Sequence, residues 1–355
     1  MTADTLQIEI QKTSKSRLDE VDFENLVFGR NISDHMFIVE YRDGQWKDSR
    51  IVPYGDLSLS PATAALHYGQ TILEGMKAYR NDAGEVLLFR ALDNWARMNK
   101  SAERLCMPAI PQDVFMNGLT ELIRLDSGWV PATEGCSLYI RPYMFATDPY
   151  IGVKPSESYM FVIFTSPVGT YYAKPPRVKF ETKYIRAAEG GVGATKCGGN
   201  YGGSLYPAKL AQEEGYEQLI WTDAREHAYI EESGTMNVMF FIEGKLITPH
   251  VSDTTLDGVT RKSIVAVAKH WNIPVEERKV SVKEIVEALK AGKVEAAFGA
   301  GTAVVISPFA SINYEGVDYT LPEIKEDSFV SKVKSYLTDL RTGKIEDVFG
   351  WTLKV

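Results

Sequence analysis

Strand-length apolar runs and helix-period apolar runs alternate along this chain, and one stretch, Gly169-Thr170-Tyr171-Tyr172-Ala173-Lys174-Pro175-Pro176, breaks the alternation near its middle. Two adjacent prolines forbid helix and remove ladder donors, so a domain boundary falls there. Before it, His35 to Tyr41 and, after an Asp82-Ala83-Gly84 turn, Glu85 to Arg90 alternate as strands do. Leu138 to Phe145 and Tyr159 to Val168 are apolar runs of strand length. Phe115, Leu119, Leu122 and Ile123 share one helical face behind Asp113, which reads as the N-cap. After the break, Ser204 to Glu214 reads as a helix stopped by Gly215, and Gln218 to Thr222 as a strand. Val238 to Ile242 and Leu246 to Thr248 read as a hairpin across Glu243-Gly244-Lys245. Ser281 and Glu284 have the spacing of a capping box, opening a helix with Ile285, Val286 and Leu289 inward and Gly292 beyond it. Both halves mix strand and helix, which predicts two α/β or α+β domains. The expected bounds are 1–172, with a polar arm over about the first 20 residues, a linker at 173–180, and a second domain over 181–355.

With 45% hydrophobic and 24% charged residues, disorder and fibre are excluded. The 39 basic residues against 47 acidic ones give a net charge of -8, which removes the nonspecific phosphate attraction of a nucleic-acid binder. An anion must therefore be captured locally. Cys106, Cys136 and Cys197 are too dispersed for a disulfide framework or a zinc ribbon, and a reducing compartment fits them. The five histidines, His35, His67, His227, His250 and His270, show no paired ligand spacing, so no metal is expected. The opening residues lack the apolar core of a secretion signal and no apolar run of about 18 residues occurs, so a cytoplasmic protein is expected.

The segment from Gly190 to Gly203 is half glycine around a single lysine, Lys196. A nucleotide P-loop would need Gly before that lysine and Ser or Thr after it, where Thr195 and Cys197 stand. A hydrolase elbow around Ser204 would need Gly at the position of Tyr206. What remains is an amine approached closely by backbone, suited to attack on an aldehyde carbon, and pyridoxal phosphate is the obvious aldehyde. That cofactor also needs a carboxylate at its ring nitrogen, a partner for its phenolic oxygen and an anion cup. Tyr201 is a candidate for the phenolic oxygen, and Glu231-Glu232, ahead of Ser233-Gly234, for the nitrogen. Two places offer backbone amides to a phosphate: the helix start at Leu256-Asp257-Gly258-Val259-Thr260-Arg261, and Gly299-Ala300-Gly301-Thr302-Ala303.

Taken in order, Lys196, Gly198-Gly199-Asn200-Tyr201, Glu232-Ser233-Gly234-Thr235-Met236-Asn237, Leu256 to Arg261 and Gly301-Thr302-Ala303 make the chain resemble the branched-chain amino acid aminotransferases, pyridoxal phosphate enzymes of fold type IV. Further matches run from Val27-Phe28-Gly29 through Glu74-Gly75-Met76-Lys77, Trp95-Ala96-Arg97-Met98 and Ser137 to Pro142, as far as Phe349-Gly350-Trp351. The resemblance implies that Lys196 carries the cofactor and moves the proton. It implies Tyr201 at the phenolic oxygen, Glu232 at the ring nitrogen, and Arg97, Val259, Thr260 and Thr302 around the phosphate. For the substrate it implies Phe28, Tyr68, Leu73, Tyr139 and Tyr171 as walls, Arg141 for a second carboxylate, the amides of Thr302 and Ala303 for the α-carboxylate, and Thr235 as a further substrate contact. Tyr68, Ile151 and Val153 would come from the partner in a homodimer, with the site between a small and a large domain.

The implied reaction passes the amino group of leucine, isoleucine or valine to 2-oxoglutarate through pyridoxamine phosphate. Three positions depart from the family pattern. Leu73 stands where Phe is usual, Asp257 where proline is usual, and Ala303 to Ser307 lacks the CxxC of some eukaryotic members. D-amino acid aminotransferases, (R)-amine transaminases and aminodeoxychorismate lyases share the fold, while Tyr68, Arg141 and the long N-terminal region favour the branched-chain enzymes.

Overall fold

The computed structural model describes residues 7–169 and 174–355, and the chain divides into two compact units. Among the described residues the first unit holds a nine-stranded sheet. Its order is Glu9–Ile10, Gln45–Pro53, His35–Arg42, Tyr159–Val168, Ser137–Ala146, Met76–Arg80, Val86–Phe89 and Thr352–Lys354, with Thr71–Leu73 paired onto Ser137–Ala146. The long central pairings are antiparallel, and Tyr139 faces Ser166 on one side and Lys77 on the other. The helix Gln112–Leu125 buries Val114, Phe115, Leu119, Leu122 and Ile123 against this sheet, with Phe115 stacked on Phe161 at 5.7 Å. Its N-cap is Pro111 rather than Asp113. The fixed φ of proline suits the chain entering the helix, and Asp113 lies in the first turn, accepting the Val114 N–H at 2.9 Å.

Two later segments return to the first unit: Lys196–Gly198 and Asp339–Val355. Leu73 N–H donates to the Lys196 carbonyl at 2.9 Å, and Thr352–Lys354 pairs with Val86–Phe89.

The second unit holds a ten-stranded sheet among the described residues. The order is Val275–Arg278, Lys245–Pro249, Met236–Ile242, Ile230–Ser233, Gln218–Thr222, Arg177–Phe180, Ser311–Tyr314 and Val317–Thr320. Val294–Gly301 also pairs with Met236–Ile242, and Val305–Pro308 with Val294–Gly301. Arg177–Phe180 lies inside the stretch expected as a linker. The prolines precede it, so its ladder donors are intact and it pairs in parallel with two neighbours. Val238, Phe240, Ile285, Ala297 and Ile312 form the core of this unit. Ser281 caps Val282–Lys290, its hydroxyl accepting the Glu284 N–H at 3.0 Å.

The helix expected from Ser204 instead begins at Gly198 and runs to Glu213. Glycines cost about 1 kcal/mol each in a helix, which argues against that start on propensity alone. Tertiary contacts override it: a Cβ on Gly198 would lie 2.8 Å from Thr71 Cγ2, and Asn200 Nδ2 donates to the Val192 and Thr195 carbonyls, both at 2.8 Å. No helix among the described residues is long and apolar enough to cross a membrane.

Candidate active site

In the first unit the helix Ala91–Arg104 presents Asn94, Arg97 and Ser101 at offsets 0, 3 and 7, which is one face. All three are buried, and each has a task. Ser101 Oγ accepts the Lys196 N–H at 3.0 Å, while the Lys196 carbonyl takes the Leu73 N–H and Cys197 bridges to Ile72. The backbone of Lys196 is thus clamped between a strand and a helix. Glu74, directly after the strand Thr71–Leu73, is fully buried. It accepts Arg97 Nε at 2.7 Å, Arg97 Nη2 at 2.8 Å, Asn94 Nδ2 at 2.8 Å and the Gly75 N–H at 3.0 Å. Burial alone would push this carboxyl up, but Arg97 and then the Lys196 ammonium overcome it and hold the carboxyl below its ordinary range. The fork fixes the plane of the Arg97 guanidinium, which has five N–H donors, more than Glu74 takes.

Tyr139 and Arg141, two apart on Ser137–Ala146, point to one side of the sheet. Arg141 Nη2 donates to Tyr139 Oη at 2.8 Å, and Phe28 meets the Tyr139 ring edge-on at 4.9 Å. Gly75 makes room for them, since a Cβ there would lie 2.3 Å from Tyr139 Oη. Arg141 Nε is buried with no hydrogen-bond partner among the described residues. A buried cationic donor in that condition favours an arriving anion. Leu73 sits on the strand beside Glu74, Tyr68 ends the short helix Ala64–Tyr68, and Ile151 and Val153 are strongly exposed. Tyr171 lies outside the described residues.

In the second unit Glu231 and Glu232 are consecutive on the strand Ile230–Ser233 and point to opposite faces. Glu232 Oε1 accepts the Leu256 N–H at 2.6 Å and faces Asn237 Nδ2 at 3.4 Å, and Oε2 stands 3.4 Å from Arg186 Nε. Asn237 also donates to the Leu256 carbonyl at 2.9 Å, which ties Glu232 to the segment leading into Val259–His270. Val259 and Thr260 open that helix, both buried, and no side chain caps its first turn. Its leading N–H groups and dipole suit an anion. Burial pushes the Glu231 carboxyl up to about 7, against the pull of Thr254 and Arg186.

Thr302 and Ala303 lie in the three-residue turn that joins Val294–Gly301 to Val305–Pro308. Val305, immediately after the turn, has φ +61, a left-handed conformation foreign to a β-branched residue. Thr235 is exposed in the turn between Ile230–Ser233 and Met236–Ile242, and its carbonyl lies 3.9 Å from a Cβ built on Gly301. Tyr201 occupies the first turn of Gly198–Glu213. Among the described residues no group of three or more His, Cys, Asp or Glu is placed to hold a metal ion.

The first unit therefore gathers Lys196 and Arg97 around Glu74, and Phe28, Tyr139 and Arg141 around one another. The second gathers Glu232, Val259 and Thr260 through Asn237 and Leu256, with Thr235, Thr302 and Ala303 on adjoining turns. Sequence reasoning assigned no role to Glu74, Asn94, Ser101 or Arg186. The polar spacing of Asn94, Arg97 and Ser101 on a helix was the one available signal.

The family described as amino-transferase class IV matches residues 71–312. A branched-chain-amino-acid aminotransferase of Bacillus subtilis is 42% identical over 359 residues, covering 100% of this chain and 98% of the relative. The branched-chain amino acid aminotransferase of Escherichia coli superposes with a TM-score of 0.72 at 27% identity, over 90% of this chain and 98% of that one. That of Thermobaculum terrenum, a structure of the pyridoxal phosphate form, superposes with a TM-score of 0.71 at 19% identity, over 90% and 97%. A 42% match along the full length, carried by a fold that its solved relatives share, places the chain in the branched-chain-amino-acid aminotransferases of the class IV aminotransferase family.

Proposed function

We propose that the chain exchanges an amino group between L-leucine, L-isoleucine or L-valine and 2-oxoglutarate, using pyridoxal phosphate. The observation that carries this reading is the clamp on Lys196, whose backbone is fixed by Leu73 and Ser101 beside the Glu74 and Arg97 pair. The groups present fit the cofactor: a positioned amine, a buried carboxylate, an uncapped helix start and a buried guanidinium. Lys196 would hold it covalently, Tyr201 at the phenolic oxygen, Glu232 at the ring nitrogen, and Arg97, Val259, Thr260 and Thr302 at the phosphate. When bound, it supplies an electrophilic carbon and a sink for the electron pair left when the α-hydrogen departs.

The chain's own residues supply the rest. Lys196 Nζ, tethered beside the substrate, would take the proton from its α-carbon at high effective concentration. Glu232 would keep a proton on the ring nitrogen of the bound cofactor. The amides of Thr302 and Ala303 receive the α-carboxylate, with Thr235 beside them. Phe28, Leu73, Tyr139 and Tyr171 enclose the apolar side chain, and Arg141 meets the second carboxylate of 2-oxoglutarate, supported by its orphaned Nε. The exposure of Tyr68, Ile151 and Val153 supports their reaching a partner's site in a homodimer. The protein works in the cytoplasm, with a small domain over 1–172 that also takes in Asp339–Val355, and a large domain whose sheet already includes the strand Arg177–Phe180.

The test is the visible spectrum of the purified protein loaded with pyridoxal phosphate, titrated with L-leucine and separately with D-alanine. L-leucine alone should convert the band to that of pyridoxamine phosphate, while a response to D-alanine alone would refute the assignment. Lys196→Ala should abolish turnover with circular dichroism unchanged.

A further inference from the structure

Ten residues before Lys196 stands an arginine to which the proposed reaction gives no role. The side chain of Arg186 is 7% exposed, and its contacts join three segments of the second unit. Nη2 donates to the Thr254 carbonyl, both Nη1 and Nη2 donate to the Gly193 carbonyl at 3.4 Å, and Nε faces Glu232 Oε2 at 3.4 Å. The approach of the glycine loop to Thr254 depends on Gly193. A Cβ there would lie 2.7 Å from Thr254 Cα and 2.5 Å from the Ala187 Cβ. The loop is also pinned by the Ala194 N–H on the Asp253 carbonyl at 2.8 Å.

We propose that Arg186 is a positioning residue: it holds Glu232 ionised and in place, and it locks Glu232 to the loop that leads into Lys196. This rests on Glu232 as the partner of the ring nitrogen. A carboxylate that is 4% exposed needs a nearby cation to stay charged. Arg186 is that cation, acting at charge-pair distance because its Nε makes no hydrogen bond. Glu231, on the opposite face of the strand, also feels Arg186, but burial outweighs that pull and holds its carboxyl up at about 7, whereas Glu232 Oε2 is the oxygen that Arg186 Nε faces.

The experiment compares holoenzymes of Arg186→Met, Arg186→Lys, Glu232→Gln and the double variant Arg186→Met with Glu232→Gln. Three quantities are read: kcat and KM for L-leucine separately, the rate of pyridoxal phosphate loss on dialysis, and the melting temperature of the cofactor-free protein. Arg186→Met should lower kcat about tenfold to a hundredfold, in line with other groups that orient a reactive partner. KM should stay within about twofold, because the residue orients the cofactor rather than the substrate, and cofactor loss should quicken. Arg186→Lys, which keeps the charge, should recover most of kcat. The double variant should be no slower than Glu232→Gln, because the arginine acts through the carboxylate.

Multiplying defects in the double variant, or a lysine variant as slow as the methionine one, would overturn the proposal. If Arg186→Met does not fold, the lysine variant decides alone, since near-parent kcat and cofactor retention support the role of charge and their loss refutes it. Glu232→Gln with parent kcat and parent cofactor retention would overturn the underlying reading of Glu232 instead, and the proposal with it.

Discussion

Glu74 in the first unit and Glu232 in the second are both buried glutamates facing an arginine, and the two pairs are built differently. Glu74 takes a two-pronged fork from Arg97 at 2.7 and 2.8 Å and adds Asn94 and its own neighbouring amide. Glu232 is anchored on one oxygen by the Leu256 amide at 2.6 Å, with its arginine set back at 3.4 Å from the other. A fork satisfies both oxygens and fixes orientation as well as charge. A cation at charge-pair distance fixes the ionisation state while leaving the geometry to the backbone. The first arrangement makes a brace between a strand and a helix. The second leaves a buried carboxylate held by a backbone amide on one oxygen and faced by a guanidinium on the other.

The comparison can be broken most directly at Arg97. Arg97→Met leaves Glu74 buried without its counter-charge and should cost about 3–5 kcal/mol of unfolding free energy in denaturant titration. Arg186→Met should cost less, about 2 kcal/mol, because Glu232 keeps its backbone donor. Equal losses would mean that the two pairs do the same work.

Titration sharpens the contrast between the units. The Glu231 carboxyl is raised by burial from about 4.5 to about 7, so between those values the folded chain holds a proton that the unfolded chain has lost. This one group therefore costs nothing below about pH 4.5, and its cost grows as the pH rises towards 7. Glu231→Gln should gain on the parent over that window, by about 1–2 kcal/mol after allowing for solvent screening.

Lys77, in the first unit, carries the opposite sign. Burial first, and Arg341 next, lower it from 10.5 to about 7, so its cost is full below about pH 7 and fades as the pH rises towards 10.5. Lys77→Met should accordingly outlast the parent most at pH 6 and least at pH 10, read as melting temperatures. Parallel pH curves for either variant and the parent would remove the contrast.

Local patterns made the strands Gln218–Thr222 and Tyr159–Val168 and the cap at Ser281 legible in the sequence, because their signals lie within a few residues. Lys196 stood out for the same reason, as one amine among glycines. Long-range facts were not legible. The fork between Glu74 and Arg97 spans 23 positions, and no spacing rule announces it. The helix start at Gly198 contradicts glycine's own preference and is set by contacts with Thr71 and the loop carbonyls. Arg186 carries no local signal, since the carbonyls of Gly193 and Thr254 that fold against it lie 7 and 68 positions away.

In the proposed reaction the turn at Thr302 and Ala303 would meet the substrate's α-carboxylate, and its backbone bears on how that happens. Val305 holds φ +61 where the turn meets the ladder, in the pair Gly301 with Val305 that continues into Ala300 with Ile306 and constrains its backbone. The entropy of arranging those two amides has been lost during folding, before any carboxylate arrives. On the proposed reading, an amino acid docking there would have less loop motion to quench, and more of its contact energy would survive as affinity.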